Sequence, residues 1–269
     1  MTQNWLAGHH ARKRFGQNFL HDRHWIGRII ESINPLPGET LVEIGPGQAA
    51  LTREVIQRAQ HETAIEIDRD LAGFLKTQFP PEALTLIEAD ALELDWANLL
   101  PGHSLRIIGN LPYNISSPLL FKLMLAADRV RDQHFMLQRE VVDRMVAQPG
   151  SKVYGRLSVM LQYRYRMYKL FDVPPGAFVP APKVVSAIVR MIPKKSEELP
   201  QVDIALLGEI VAKAFQQRRK TLRNALDALA TPDQIESVGI DPSARAETLS
   251  VDQFVRLAQH LSDSVVRGK

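Results

Sequence analysis

Short apolar runs alternate with longer amphipathic segments over the first half of the chain. The apolar runs predict five strands: Thr40–Ile44, Thr63–Ile67, Thr85–Glu88, Leu105–Gly109 and Gln133–Leu137. The segments with apolar residues at helical spacing predict five helices: Asp22–Asn34, Ala50–Ala59, Leu71–Phe79, Pro118–Ala126 and Glu140–Ala147. Alternation of strands with helices predicts a parallel sheet that carries helices on both faces.

Two further apolar runs, Tyr163–Phe171 and Val184–Ile192, have no long helix between them. They predict an antiparallel hairpin at one edge of the sheet. The segment Pro193–Pro200 is charged and flanked by prolines, as is typical of a linker between domains. We therefore predict two domains, residues 1–193 with the sheet and residues 196–269 beyond the linker.

The C-terminal segment has no strand pattern. Its first apolar residues recur at helical spacing: Ile204, Leu207, Ile210, Val211, Ala214 and Phe215. Ser250 and Gln253 have the spacing of a capping box, which predicts the start of a last helix that runs through Leu261. The predicted fold class is therefore α/β, with a mostly parallel sheet and a small all-α C-terminal domain.

The composition narrows the class of protein. The 269 residues are 45% hydrophobic and contain no cysteine, which excludes disulfides and thiolate metal sites and favours a reducing compartment such as the cytoplasm. No apolar run approaches the length of a membrane span, and the N-terminus lacks the apolar stretch of a signal peptide.

The net charge of +3 is small, but the cations are clustered. Three clusters stand out: Arg12, Lys13, Arg14, Arg23 and Arg28 near the N-terminus, Arg164–Lys169 in the middle, and Gln216–Arg223 near the C-terminus. Any one cluster is compatible with a solvated surface. Together they favour a surface that faces a polyanion, with nucleic acid as the first candidate.

A glycine turn follows the first long strand. Gly45 and Gly47 lie where the strand meets a helix, and Glu66 comes 19 residues after Gly47, at the end of the next strand. An acidic side chain there can bind the hydroxyls of a ribose, in a nicotinamide dinucleotide or in S-adenosylmethionine alike. Two residues favour the methyl donor: Pro46 removes an N–H that could bind a pyrophosphate, and Asp90 could accept from an adenine amino group. An aspartate after a strand is also a common turn former.

The tetrapeptide Asn110-Leu111-Pro112-Tyr113 follows the fourth strand. The Asn110 side-chain oxygen and an adjacent main-chain carbonyl can both accept hydrogen bonds from one planar NH2 group, and Tyr113 offers a face for stacking. Pro112 stiffens the loop. The pattern predicts a cradle for an amino group, although a polar turn after a buried strand would have similar residues.

With these motifs the chain closely resembles the ribosomal RNA adenine N6,N6-dimethyltransferases, and most closely their bacterial small-subunit branch. The resemblance extends along the chain through these segments: Lys13–Leu20, Val42–Thr52, Arg139–Arg144, Tyr154–Ser158, Phe178–Lys183 and Phe215–Arg223. Two positions depart from the family pattern. Ala49 replaces a glycine, which we expect to cost little, and Val185 replaces an aspartate before Ser186.

The resemblance implies a Rossmann-like class I methyltransferase that uses S-adenosylmethionine. The implied reaction is dimethylation of the exocyclic N6 of two adjacent adenosines near the 3′ end of 16S rRNA in the small ribosomal subunit, with a role in 30S biogenesis. We expect a monomer that acts in the cytoplasm.

The resemblance also assigns site residues. The cofactor ligands are Asn18, Leu20, Gly45, Glu66, Asp90 and Asn110. The catalytic residues are Asn110, Leu111, Pro112, Tyr113 and Phe178, of which Asn110 and the Leu111 or Pro112 carbonyl accept from N6 while Tyr113 and Phe178 sandwich the base. The predicted RNA ligands are Arg218, Arg219, Lys220 and Arg223.

Four alternatives stay open at this point. The first is a large-subunit (23S) rRNA adenine dimethyltransferase, and the second is a DNA adenine or protein glutamine methyltransferase, whose Asn-Pro-Pro-Tyr loop differs at Leu111. The third is mainly a ribosome-assembly factor, for which binding matters more than methylation. The fourth is the nicotinamide enzyme that the glycine turn alone would allow.

Overall fold

The computed structural model describes residues 17–267, so the predicted cations Arg12, Lys13 and Arg14 lie outside the described part of the chain. The strands are β1 (Phe19–Leu20), β2 (Thr40–Ile44), β3 (Glu62–Glu66), β4 (Leu84–Glu88), β5 (Leu105–Asn110), β6 (Val130–Gln138), β7 (Tyr165–Val173), β8 (Phe178–Val179) and β9 (Ser186–Pro193). The α-helices are α1 (Arg23–Ile33), α2 (Thr52–Ala59), α3 (Arg69–Gln78), α4 (Ser116–Leu123), α5 (Arg139–Met145), α6 (Arg156–Arg164), α7 (Ile204–Gln216), α8 (Leu222–Ala225), α9 (Pro232–Ser237) and α10 (Val251–Arg267). None of these helices is long and apolar enough to cross a membrane.

Seven strands form one sheet in the order β4-β3-β2-β5-β6-β9-β7. Strands β4, β3, β2, β5 and β6 run parallel to one another. Strand β9 pairs antiparallel with β6. The α/β class and the antiparallel edge are therefore confirmed. A second ladder was not predicted: β1 pairs antiparallel with β8, with Phe19 opposite Val179 and Leu20 opposite Phe178.

Local side-chain chemistry sets the ends of the helices. The Asp22 carboxylate accepts from the amides of His24 and Trp25 and caps α1, which ends at Asn34 in a left-handed conformation. In the C-terminal region the predicted capping box is present, because Ser250 N donates to Gln253 Oε1 at 2.9 Å and Gln253 N donates to Ser250 Oγ at 3.2 Å.

A buried ion network ties α1 to β5 and β6. The Arg106 guanidinium is 6% exposed and donates to both carboxylate oxygens of Asp132, at 2.8 and 3.1 Å, and to Glu39 at 2.6 Å. It also donates to the carbonyls of Ile33 and Asn34, at 2.5 and 3.2 Å. The C-terminal end of α1 is thereby fixed against the sheet through the Arg106 side chain.

The chain divides into two compact units, residues 1–142 with 168–193, and residues 143–167 with 194–269. The division differs from the predicted domains 1–193 and 196–269 by the segment 143–167. That segment contains α6, a helix that the sequence analysis did not predict, and α6 packs against α7 and α10. The apolar face predicted for α7 is buried at Leu207, Ile210, Val211 and Ala214.

Candidate active site

A cavity of about 300 Å³ lies in the first unit, beside the carboxyl ends of β2, β3 and β5. Parallel α/β sheets bind their ligands at this edge. Nine of the ten predicted cofactor and catalytic residues line the cavity: Asn18, Leu20, Gly45, Glu66, Asp90, Asn110, Leu111, Pro112 and Tyr113. The exception is Phe178.

The glycine turn beside the cavity has three residues in the left-handed region. Gly45, Gly47 and Ala49 have φ values of 68°, 56° and 65°. A Cβ on Gly47 would lie 3.2 Å from the Phe19 ring, so that ring packs directly on the turn. Ala49 is fully buried in a conformation that favours glycine. We expected alanine to cost little here. The left-handed conformation instead strains the backbone at a cost of about 1 kcal/mol in stability.

Glu66 ends β3 with its carboxylate held by two main-chain amides. Gly47 N donates to Oε2 at 3.3 Å, and Asp68 N donates to Oε1 at 2.9 Å. Gln17 in turn donates to the Asp68 carboxylate at 3.1 Å. Burial raises the pKa of Glu66, and the two amide hydrogen bonds oppose this shift. The side chain is thus fixed in orientation and keeps acceptor capacity toward the cavity.

Asp90 follows β4 and has a turn-forming role as well as a place in the cavity. Its Oδ1 accepts from Leu92 N at 2.8 Å, so the turn-former interpretation is correct for one oxygen. The segment after it is anchored, because buried Trp96 donates to the Ala91 carbonyl at 2.8 Å and Lys122 donates to the Leu92 carbonyl. The second carboxylate oxygen of Asp90 is the one that remains for a ligand.

Asn110 ends β5, and its neighbours fix the direction of its amide. Nδ2 donates to the Asn18 main-chain carbonyl at 3.0 Å. A carbonyl can only accept, so the amide cannot be flipped without losing this bond, and Oδ1 points away from Asn18 as an acceptor. Gly109 allows this position, since a Cβ there would lie 2.6 Å from the Ile44 carbonyl of β2. Nothing local in the sequence indicates this role of Gly109.

Leu111, Pro112 and Tyr113 form the turn after Asn110. Leu111 N donates to the Met136 carbonyl at 3.1 Å, and the Pro112 carbonyl accepts from Ile115 N at 3.2 Å. The Tyr113 hydroxyl lies 3.0 Å from the Ser186 hydroxyl. The loop is therefore connected to β6 through Met136 and to β9 through Ser186.

Phe178 does not lie where the base-stacking prediction requires an open ring. It is 3% exposed, does not line the cavity and belongs to an apolar cluster with Leu20, Met136, Val173 and Ile188. The pairing of β8 with β1 buries it, because Leu20 is its direct partner. In this structure Phe178 is a core residue, so its stacking on the target base stays a prediction that would require the ring to become accessible from the cavity.

Two more buried carboxylates lie on β2 and β3. Glu43 lines the cavity and accepts from the Thr52 hydroxyl at 2.6 Å, yet burial, with a smaller contribution from Glu66, raises its pKa to about 7. Glu62 is fully buried, and neither of its carboxylate oxygens has a hydrogen-bond partner among the described residues. Burial, and then the charge of Glu43, raise its pKa well above the usual range.

The model of the ribosomal RNA adenine dimethylase family matches residues 8–263. The chain belongs to this family. It is 57% identical over 256 residues to the ribosomal RNA small subunit methyltransferase A of Bordetella pertussis, an alignment that covers 95% of this chain and 96% of the relative. The predicted family and the predicted class of enzyme are therefore confirmed.

Solved structures in and around the dimethylase family share the fold. A dimethyladenosine transferase from Plasmodium falciparum matches with a TM-score of 0.80 at 25% identity, over 92% of this chain and 98% of that chain. The 23S rRNA methyltransferase ErmE matches with a TM-score of 0.70 at 26% identity, over 91% of this chain and all of that chain (100%). Identity to the small-subunit enzyme is about twice as high, so the large-subunit alternative is not supported.

The cations of this family member differ in their environments. In the middle cluster Arg164 is buried and donates to the Lys194 carbonyl at 2.9 Å, while Arg166 pairs with Glu198 at 2.5 Å. Lys169 pairs with Asp172 at 2.9 Å. The suggestion that this cluster faces a polyanion is therefore wrong for Arg164, and the other two cations are already paired with acids.

The C-terminal cluster is divided. Arg218 donates to the Lys152 carbonyl at 2.8 Å and to Glu247 at 3.0 Å, so it holds two loops of its own unit together. Arg219, Lys220 and Arg223 are exposed, and no acidic side chain pairs with them within 4 Å in the described part of the chain. The four predicted RNA ligands therefore separate into one structural cation and three that face solvent.

Proposed function

We propose that this protein transfers methyl groups from S-adenosylmethionine to the exocyclic N6 of two adjacent adenosines near the 3′ end of 16S rRNA in the small ribosomal subunit. The orientation of the Asn110 amide is the observation that supports it most. Because Nδ2 is held by Asn18, the side chain presents an oxygen, which is the group that an adenine amino group needs as a partner.

Two acceptors are needed to hold both N–H bonds of N6. Asn110 Oδ1 is the first. The sequence left the Leu111 and Pro112 carbonyls open as the second. Ile115 N in the turn takes one of the two lone pairs of the Pro112 carbonyl, so the Leu111 carbonyl is the freer acceptor. We therefore assign the second acceptor to Leu111. Hydrogen bonds to both N–H groups draw the N6 lone pair out of conjugation and aim it, which is catalysis by position and electrostatics.

The charges of the cavity favour a cationic methyl donor. The charged residues that line it are Glu43, Glu66 and Asp90, all acidic, and no Lys or Arg lines it within the described residues. A pyrophosphate would be repelled there, so a nicotinamide dinucleotide is disfavoured. When bound, S-adenosylmethionine supplies a methyl group on a positively charged sulfur. Glu66 would hold its ribose, and Asp90 would accept from its adenine amino group.

The decisive experiment uses Asn110. We expect wild-type protein to dimethylate adenosines in small subunits from cells that lack this activity, measured by mass spectrometry of 16S rRNA fragments. Asn110→Ala should lower the rate by at least about 100-fold, the size expected for an oriented hydrogen-bonding group in a transition state. Its affinity for S-adenosylmethionine, measured by calorimetry, should fall much less.

Three outcomes have different meanings. Near-normal methylation by Asn110→Ala would exclude the mechanism. Methylation of 23S rRNA alone would exclude the substrate. If Asn110→Ala is inactive but restores normal subunit assembly in cells, then the assembly role does not depend on methyl transfer.

The RNA surface is proposed to include Arg219, Lys220 and Arg223 but not Arg218. Exposed cations bind phosphates and make affinity depend on salt. The double substitution Arg219→Glu with Lys220→Glu should weaken binding to small subunits and reduce the slope of log affinity against log salt by about 2. The control is Lys213→Glu with Arg256→Glu, two exposed helical positions with the same change of charge. Equal effects of the two pairs would contradict a localised surface.

A further inference from the structure

The Tyr113 ring is held through its hydroxyl, and the backbone that carries it is held separately. The Tyr113 main-chain carbonyl accepts from the Ser116 hydroxyl at 3.1 Å, and the ring hydroxyl lies 3.0 Å from the Ser186 hydroxyl. The distance between the two hydroxyls is at the long end of the range for an O–H···O hydrogen bond. A tyrosine on a loop would otherwise change its ring orientation freely about two side-chain torsions.

Ser186 is a rigid point of attachment. It is 1% exposed and is the first residue of β9, where it lies opposite Gln138 at the end of β6. The next main-chain carbonyl back, that of Val185, accepts from Arg139 N at 2.9 Å. The Ser186 hydroxyl therefore moves with the sheet, and the bond transmits this rigidity to a ring that is half-buried beside the cavity.

The hydrogen bond between Tyr113 and Ser186 completes an arrangement in which each residue proposed to contact the adenine is held by a different element of the fold. Asn110 is held by Asn18 of the N-terminal segment, Leu111 by Met136 of β6, and Tyr113 by Ser186 of β9. A stacked base is positioned only as well as the ring under it. A displacement of about 1 Å at a reacting centre can cost about 100-fold in rate.

We propose that Ser186 is a positioning residue for methyl transfer, which acts through the Tyr113 hydroxyl to fix the ring against which the target adenine stacks. This rests on the proposed function. Ser186 touches neither the base nor the cofactor, and its effect passes through a single hydrogen bond.

The test is a double-substitution cycle on the methylation of small subunits from cells that lack the activity. Tyr113→Phe keeps the ring and removes its hydroxyl, and Ser186→Ala removes the partner. Each should lower kcat about tenfold, the value of one typical net hydrogen bond. The double variant should be no slower than the slower single variant. Calorimetric affinity for S-adenosylmethionine should stay unchanged, and Ser186→Thr, which keeps a hydroxyl, should recover most of kcat.

A matched control separates positioning from general loss of stability. Ser158 is also fully buried and donates to a main-chain carbonyl, that of Arg144, but its hydroxyl is hydrogen-bonded to no residue that lines the cavity. Ser158→Ala should lower the unfolding temperature to a similar extent and leave kcat unchanged.

The proposal is overturned if Ser186→Ala keeps the wild-type kcat, or if the losses of the two single variants multiply in the double variant. A loss of kcat in Ser158→Ala equal to that in Ser186→Ala would reduce Ser186 to a structural residue. If wild-type protein methylates no adenosine in RNA, the proposed function itself fails, which is a distinct result. Should Ser186→Thr not fold, the cycle of the other three variants still decides.

Discussion

Two neighbouring strand pairs of the same sheet bury ionisable side chains in opposite ways. On β5 and β6, Arg106 and Asp132 neutralise each other, and the hydrogen-bonding groups of the guanidinium are used by carboxylates and carbonyls. On β2 and β3, Glu43 and Glu62 are buried without a cation, and Glu62 has no hydrogen-bond partner among the described residues. The first pair carries its own counter-charge, whereas in the second pair Glu43 lines the cavity without one.

The pKa shifts show the same contrast. The Arg106 guanidinium, against an opposing effect of burial, holds the pKa of Asp132 below its usual value. Burial raises the pKa of Glu43 and Glu62, a neighbouring carboxylate raises each further, and only the Thr52 hydrogen bond to Glu43 opposes these shifts. A sheet can thus carry an electrostatic cost at one strand pair while a buried carboxylate of the next pair has its counter-ion. Three experiments test this contrast between the two strand pairs, and a fourth tests the glycine turn.

The largest effect should come from Arg106→Met. It leaves Asp132 buried without its partner, which typically costs about 3–5 kcal/mol in the free energy of unfolding. Urea denaturation at pH 7 measures this loss. Arg131→Met is the control, because Arg131 is 60% exposed and pairs with the same Glu39, so it should cost about 0–1 kcal/mol. Similar small losses for both variants would show that the buried network does not stabilise the fold.

A stabilisation is expected at Glu62. Glu62→Leu removes a buried carboxyl with no partner and should raise the free energy of unfolding by roughly 1–3 kcal/mol at pH 7. Glu62→Gln stays neutral at every pH but keeps two polar atoms, so it separates the effect of charge from that of unpaired polarity. A lower stability of Glu62→Leu would mean that this carboxyl has a partner that the fold requires.

The two strand pairs should also give opposite dependence on pH. For Glu43 and Glu62 the folded-state pKa is raised above 4.5, so their stabilisation is present below pH 4.5 and is lost as the pH rises through about 7 for Glu43. For Asp132 and His134 the folded-state pKa is lowered, to about 4 for His134. The stabilisation from Asp132 is present above pH 3.8 and is lost as the pH falls below that value, whereas the stabilisation from His134 is present above pH 6.5 and is lost as the pH falls toward about 4.

Urea midpoints of the wild type between pH 3 and 8 should therefore fall on both sides of an acidic maximum. Glu62→Gln should flatten the alkaline side, and Arg106→Met should reduce the fall below pH 4 that comes from Asp132. A change of both sides in one variant would show that the two regions are coupled.

The smallest effect is expected at Ala49. Ala49→Gly should raise the free energy of unfolding by roughly 1 kcal/mol, because φ is 65° there and glycine adopts this conformation without strain. Gly45→Ala, at a φ of 68°, should change stability in the opposite direction. Thermal unfolding of the two variants measures the difference. Destabilisation by Ala49→Gly would mean that the buried methyl group outweighs the strain.

Much of the fold was predictable because it has strong local signals. The strand Thr40–Ile44 was predicted to the residue, and Asp22 and Asn34 mark the ends of α1 as expected. Helix α6 was missed because Val159, Met160 and Leu161 are all buried in succession, which removes the amphipathic period. The ladder of β1 with β8 is two residues long and has no period to detect.

The candidate site was predictable where the residues come at the ends of strands, as Glu66, Asp90 and Asn110 do. Contacts between distant segments were not. Nothing local in the sequence places Asn18 against Asn110, or Ser186 against Tyr113, and nothing shows that Arg218 is used within its own unit. The burial of Phe178 has the same origin, since it depends on pairing with Leu20.

The pairing of β1 with β8 has a consequence for the timing of repeated turnover. Phe19 packs on the glycine turn that borders the cavity, while its neighbour Leu20 pairs with Phe178. Two methyl groups on one amino group consume two donor molecules, so the spent donor has to leave between the transfers. If β1 opened for this exchange, the neighbouring Asn18 carbonyl would also release the Asn110 amide that it orients. We therefore expect renewal of the donor to compete with the hold of Asn110 on the half-modified amino group, so that singly methylated adenosine accumulates when the donor is scarce.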